Sequence, residues 1–329
     1  MCPRGLSVLR CEDEGGWVAC LAVLPVRGRR DVLGPGLASW HHEYSFLGTP
    51  LLASGAEDEG GRGLLDLVGA RRRTGFLALD WVRCGPAGNA LRSAGASAVV
   101  GEQFERAFVF RPEPGASPGS PFSAKRAKEL RRHQRRLAEA LGGTPEIVER
   151  TGDPRAPAEF LALEGSGWKG RAATAMAARP GHGEFFTAIC EAFARRGTLQ
   201  ILSLEARGRR AAMQCNLRAG EGMFCFKVAY DEELGRHSPG AQLEMGALAQ
   251  FAGEEQARWM DSCAAPDAEP INRLWPDRTT LNTLIIPADG AWAPATRSSA
   301  LALRAVRRAR PSRSIRWSPG ASGTDRATT

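Results

Sequence analysis

The 329-residue chain is predicted to be an α/β protein of mixed, mostly antiparallel sheets flanked by helices. Three observations predict this. Short alternating strands come in pairs joined by Gly-containing turns. Amphipathic stretches with helical period lie between them. One order of elements (strand, strand, strand, helix, strand) runs through the second half and recurs in partial form in the first, as a duplicated unit would.

The second half carries the clearer signals. Pro145–Arg150 reads as a strand. Asp153–Ser166 reads as a helix with Asp153 as N-cap and Pro154 at its first position. Glu184–Arg196 is a helix, apolar at Phe185, Phe186, Ile189 and Phe193 and closed by Gly197. Strands are expected at Leu199–Ala206, Ala211–Arg218 and Met223–Asp231, with turns at Arg207-Gly208 and Ala219–Gly222. A helix over Ala241–Gln256 and strands at Trp259–Cys263 and Leu281–Pro287 complete the set. In the first half, Leu6–Cys11 and Trp17–Pro25 form a hairpin, and a loop region reaches Leu51-Leu52. Gly61–Ala70 is expected as a helix, Gly75–Val82 as a strand and Ala98–Phe110 as one or two strands.

These elements suggest a partial first unit over 1–110, a Pro/Gly/Ser-rich linker over 111–122, a second unit over 123–295 opening with a basic helix, and a basic, partly disordered tail over 296–329. The net charge of +8 is unevenly spread. Residues 123–142 hold seven Lys/Arg against two Glu, and residues 296–329 hold eight Arg against one Asp, which leaves the remainder net negative. Overall basicity is therefore poor evidence for nucleic-acid binding. The eight cysteines form no Cys-x-x-Cys pair and no cluster with histidine, and reduced core thiols are expected rather than metal or disulfides. No apolar run approaches the roughly 20 residues of a membrane span, and the N-terminus lacks a signal core. A cytoplasmic location is the expectation.

Residues 223–246 are the most informative stretch. An apolar strand ends at Tyr230-Asp231, a short polar loop follows, and Ser238-Pro239-Gly240 opens a helix. First-turn N–H groups lack intrahelical partners and the helix dipole adds positive potential, so this is a ready anion site.

Several ordered motifs resemble one family. Gly167-Trp168-Lys169-Gly170-Arg171, Lys227-Val228-Ala229-Tyr230-Asp231-Glu232, Ser238-Pro239-Gly240 and Asp261-x-Cys263 are similar to motifs of the GNAT-like acyltransferases of the CelD/BcsL (cellulose-biosynthesis) type, as are Ser123–Leu137 and Phe46–Leu51. The resemblance implies a tandem GNAT-like fold related to FemAB-like transferases. It also implies acyl transfer from acetyl-CoA or another acyl-CoA to an amine, often in sugar or envelope-polysaccharide chemistry, with no metal. Against that pattern the first unit lacks its leading strand and two helices, roughly 60 residues at ordinary element lengths. The pyrophosphate motif is also imperfect, because Arg236 stands one residue too far from Gly240.

Under this resemblance, phosphates would meet the backbone at Ser238, Gly240 and Ala241, with Arg236 and Lys227 as further cofactor contacts. Tyr230 would protonate the leaving thiolate, or be a half-buried strand aromatic. Asp231 would serve the amine, or cap a turn. Glu232 would bind the acceptor with Trp168, Lys169 and Arg171, and Asp261 would act as base or acceptor ligand. The reading is an N-acyltransferase with a sugar or other small amine acceptor. Its rivals are an aminoacyl-tRNA-dependent FemAB-like transferase, with tRNA as partner, and a non-catalytic scaffold of polysaccharide assembly.

Overall fold

A computed structural model describes residues 3–29, 32–71, 74–95, 98–111, 124–288 and 293–308. Its strands are β1 Ser7–Asp13, β2 Gly16–Arg29, β3 Val32–Ser39, β4 Leu51–Leu52, β5 Phe76–Arg83, β6 Val99–Phe110, β7 Glu146–Glu149, β8 Leu199–Ala206, β9 Arg209–Ala219, β10 Gly222–Tyr230, β11 Trp259–Asp261 and β12 Asp277–Pro287. Its helices are α1 Glu57–Gly69, α2 Pro86–Ala94, α3 Ala124–Leu141, α4 Ala156–Ser166, α5 Trp168–Arg171, α6 His182–Arg195, α7 Pro239–Phe251, α8 Glu269–Asn272 and α9 Ala293–Arg308. The chain forms two compact units, one built from residues up to Glu105 and from Thr279 on, the other from Arg106–Arg278.

In the first unit the strand order is β1-β2-β3-β5-β12, with β4 also on β2. Residues alternate between the two faces of the sheet. Leu77 and Leu79 join Leu64 and Val68 of α1 and Leu91 of α2 in one core, while Phe76 and Ala78 pack with Ala300 of α9 on the other face. Strand β3 lies within the stretch expected to be loop. Its Gly34-Pro35-Gly36 run hides it from strand propensity, but Gly36 is there for contact. A Cβ at Gly36 would lie 2.5 Å from the buried Phe76 ring. Helix α2 was also not anticipated. Leu281–Pro287, expected with the second unit, is part of β12 and pairs antiparallel with β5. Helix α9 begins before the expected tail and is anchored by Thr296 Oγ1, which donates to the Gly75 carbonyl at 3.1 Å. The linker at 112–122 and the tail beyond residue 308 lie outside the described residues.

In the second unit the end of β6 starts the order β6-β11-β10-β9-β8-β7. Helices α3 and α7 cover one face through Leu137, Leu141, Leu243 and Ala247 on Leu202 and Leu204. The other face carries α4 and α6, whose Phe160 and Phe186 stack at 4.8 Å, with Phe226 of β10 next in line at 6.1 Å. Helix α4 starts three residues later than expected. Asp153 does not cap it. Instead its carboxylate accepts from Arg150 at 2.5 Å and from the Arg155 N–H at 2.9 Å, which closes a turn before the helix.

The two units share their inner order. β1-β2-β3-α1-β5 and β8-β9-β10-α7-β11 each end in a strand parallel to the third. Both parallel pairs are short, with registers Leu37↔Leu77 and Ala38↔Ala78 in one and Gly222↔Trp259 to Phe224↔Asp261 in the other. In the second pair β10 then runs on past the end of β11.

Candidate active site: the fork and helix start of the second unit

Beyond Phe224 the register between β10 and β11 ends, and β10 bulges between Cys225 and Lys227. A bulge bends its strand and increases local twist, so β10 runs on past the end of β11 in a bent, more twisted course. Asp261 is the last residue of β11, paired with Phe224 just before the bulge. It is fully buried, 3.5 Å from the equally buried Arg106, and its Oδ1 accepts the Cys263 N–H at 2.8 Å. The predicted acid/base residue is thus part of a dry ion pair. Lys227, at the bulge, is half-buried, and its charge reaches Cys263.

At the far end, β10 delivers the chain into a turn. The Asp231 Oδ1 accepts the Glu233 N–H at 2.9 Å, and its Oδ2 pairs with Arg209 at 2.7 Å. Its carboxylate therefore holds the turn. Tyr230 precedes it, 39% exposed. A Cβ on Gly240 would sit 3.4 Å from the Tyr230 ring, so the ring lies against the first turn of α7.

Ser238 occupies the N-cap position of α7 in the left-handed region, with φ +53°, and caps nothing. Its hydroxyl instead lies 3.3 Å from His133 Nδ1 on α3. Pro239 has no N–H, and the N–H groups of Gly240 and Ala241 gain no side-chain cap. No acidic residue stands in this first turn. The counterpart helix α1 of the first unit carries Glu57, Asp58 and Glu59 in its first turn. Carboxylates there cancel the positive potential of a helix start, so of the two helix starts only that of α7 suits an anion.

The structure also brings the expected acceptor residues together. Arg171 pairs with Glu232 at 2.5 Å, and the Glu232 carboxylate lies over Gly167, where a Cβ would be 2.7 Å from Oε1. Trp168 and Lys169 belong to the same short helix, and their side chains are outside the described residues. Arg236 is exposed, and its Nε donates to His237 Nε2 at 3.1 Å.

Sequence reasoning missed Arg106, His133, His237 and the pair Glu244–Trp275. Glu244 is buried in α7, and its Oε1 accepts the Trp275 indole N–H at 2.6 Å. Burial pushes its carboxyl up to about 7, and its charge reaches Cys225, whose thiol burial raises further. A carboxylate in a helix whose neighbours Leu243 and Ala247 are core residues was the available signal. The end of β3 in the first unit holds another polar group. Ser39 Oγ lies 2.8 Å and Asp80 Oδ2 3.9 Å from the same nitrogen, Nε2, of His41. Both partners on one nitrogen preclude a Ser-His-Asp relay through the ring. Among the described residues no group of three His, Cys, Asp or Glu is placed to hold a metal, and no helix is long and apolar enough to cross a membrane.

Residues 124–269 match the family described as "Acetyltransferase (GNAT) domain". No curated protein matches this sequence. Among solved structures, the C-terminal domain (DUF2156) of a candidate lysylphosphatidylglycerol synthetase from Agrobacterium fabrum is similar at 14% identity and TM-score 0.53, over 92% of this chain and 88% of that one. L-PGS from Bacillus licheniformis is similar at 12% identity and TM-score 0.52, over 91% and 89%. A conserved protein of unknown function from Bacteroides thetaiotaomicron is similar at 12% identity and TM-score 0.52, over 86% of each chain. At such identities these likenesses concern the fold, and they extend over both units. The CelD/BcsL type itself is not among these matches. The chain carries a GNAT acetyltransferase domain over residues 124–269, within a GNAT-like α/β fold.

Proposed function

We propose that this protein is an N-acyltransferase that moves an acyl group, acetyl in the simplest case, from acyl-CoA to an amine. The start of α7 carries the proposal: it is uncapped, free of acidic residues and follows the bulged strand β10 through the Asp231 turn. The N–H groups of Gly240 and Ala241 bind the pyrophosphate of CoA, with Arg236 adding charge. The pantetheine arm runs along the β10 edge beyond Phe224, and a β10 backbone N–H donates to the thioester carbonyl as it becomes an oxyanion. The amine attacks, the C–N bond forms and the C–S bond breaks. Tyr230 gives its hydroxyl proton to the departing thiolate and regains one from solvent. The acceptor ammonium, held by Glu232 beside Arg171, loses one proton to solvent to become the nucleophile, and Glu232 takes the second, which the nitrogen sheds once the C–N bond has formed. Asp231 and Asp261 serve as positioning residues, one through its turn and the other through the Arg106 pair. An amine on a sugar or envelope-polysaccharide precursor is the acceptor this reading favours, and the cytoplasm is the compartment where acyl-CoA would meet it.

A second reading is favoured by the likeness over both units to a candidate lysylphosphatidylglycerol synthetase and to L-PGS. In it the donor is an aminoacyl ester such as aminoacyl-tRNA, and the acceptor is a lipid or peptide precursor.

Binding and turnover separate the two. Acetyl-CoA is titrated calorimetrically into the protein and into Gly240→Glu, and thiol release is followed with a panel of amino sugars. Wild-type binding should be lost in Gly240→Glu by about 100-fold or more, from bulk against Tyr230 and like charge beside the phosphates. Absence of binding to any CoA thioester, with salt-dependent retention of tRNA, would establish the second reading instead.

A further inference from the structure

Helix α3 contributes more than packing to this region. A cleft of about 510 Å³ opens between α3 and the turn before α7, lined by Arg136, Glu139 and Ala140 from the helix and Arg236 and His237 from the turn. Clefts of a few hundred Å³ are the ordinary size for small ligands. Leu137 and Leu141 bury the opposite stripe of the helix in the core, which fixes Arg136 and Glu139 toward the cleft.

The cleft is chemically biased toward an anion. Arg136 and Arg236 supply two guanidinium groups that stay charged at any physiological pH. His237 is 7% exposed and its protonation can be assigned from its neighbour. The Arg236 Nε carries a hydrogen and can only donate, so His237 Nε2 must accept, at 3.1 Å. Burial, together with the nearby charges of Arg236, His133 and Arg136, lowers the imidazole's pKa. The single ring proton is therefore on Nδ1, which is buried without a hydrogen-bond partner. An unmatched buried donor costs roughly 1–3 kcal/mol and leaves its positive dipole end uncancelled beside the two guanidinium groups. Glu139 adds one carboxylate to the same cleft, which suits a hydroxyl donor beside the anion.

The cleft is next to the proposed pyrophosphate position. His133 of α3 reaches the Ser238 hydroxyl at 3.3 Å, and His237 immediately precedes that N-cap. Two anion-favouring places side by side fit a ligand with two separate phosphate groups. Resting on the acyl-CoA reading, we infer that this cleft is a second anion site that holds the ribose 3′-phosphate of CoA. Arg136 binds the phosphate monoester, Arg236 stands between it and the pyrophosphate and lends charge to both, and Glu139 accepts from the adjacent ribose hydroxyl. Helix α3 is then a specificity element that distinguishes CoA from its dephosphorylated form.

The test compares CoA with dephospho-CoA, which keeps the pyrophosphate and lacks only the 3′-phosphate. Both are titrated calorimetrically into the full chain and into Arg136→Ala. Arg136 is exposed, so the variant should fold, and circular dichroism checks that it does. One charge-assisted contact is worth about tenfold or more in affinity. The wild-type protein should bind CoA at least about tenfold more tightly than dephospho-CoA. In Arg136→Ala most of that preference should vanish, through weaker CoA binding and unchanged dephospho-CoA binding. Equal wild-type affinity for the two ligands would overturn the inference and leave the acyl-CoA reading standing. An undiminished preference in Arg136→Ala would overturn the role of α3. Failure of both ligands to bind would overturn both readings together.

Discussion

Replacing Glu244 by Gln isolates what it costs to bury one carboxyl in α7. The side chain is 5% exposed and has the Trp275 indole N–H as its hydrogen-bond donor at 2.6 Å. Burial raises the carboxyl from an ordinary 4.5 to about 7 in the folded protein. The folded state therefore holds this proton more tightly than the unfolded state. Its contribution is intact below pH 4.5 and is lost progressively as pH rises toward 7, because the unfolded chain ionises first. At about 1.4 kcal/mol per pH unit, the loss totals about 3 kcal/mol, and roughly 2.5 kcal/mol of it falls between pH 5 and 8. The glutamine side chain keeps an oxygen for Trp275 and cannot ionise. Urea unfolding of both proteins, followed by tryptophan fluorescence and circular dichroism at pH 5, 6, 7 and 8, reads the difference directly. Near pH 5 the two should lie within about 1 kcal/mol, and by pH 8 Glu244→Gln should be the more stable by about 2–3 kcal/mol. Other titrating groups cancel in the comparison. Two curves that stay parallel across this range would refute the argument that Glu244 is a dry, raised carboxyl.

Other perturbations probe the frame around the site. Arg106→Met should destabilise the protein by about 3–5 kcal/mol, because it leaves Asp261 charged at zero exposure; Arg106→Met with Asp261→Leu should recover most of that loss in urea unfolding, and a single variant costing under about 1 kcal/mol would show that the pair is not dry. Gly36→Ala should cost about 1–3 kcal/mol, since its Cβ meets the Phe76 ring at 2.5 Å. Adding Phe76→Leu should make the glycine substitution cheaper, and a melting temperature unchanged by Gly36→Ala would mean that β3 does not press on that ring.

The units differ in how readily their sequences reveal them. The hairpin strands β8, β9 and β10 were legible to within a residue or two, because Arg207-Gly208 and Ala219–Gly222 punctuate clean alternation. The order strand–strand–strand–helix–strand was legible in the second half, and only in part in the first, where β3 was read as loop. Its Gly-Pro-Gly run has turn chemistry, and the reason for it lies in Phe76, some 40 positions away. At the site, the sequence pointed to the helix start at Ser238–Ala241, and the family resemblance named Arg171 and Glu232 without indicating that they pair. It did not point to Arg106, His133, His237 or Glu244.

The sequence by itself determined the local elements, the strand–turn–helix at 223–251 and the absence of carboxylates from its first helical turn. Those properties follow from periodicity, turn residues and charge over a few neighbouring positions. Only tertiary structure decided that β10 and β11 pair for three residues and then part, that Leu281–Pro287 joins the first unit's sheet, that Asp261 is sealed against Arg106, and that α3 lays Arg136 beside Arg236 and His237. Each of these depends on which distant segments share a core. That choice is made by summed burial and register over the whole chain, and no short stretch of sequence encodes it.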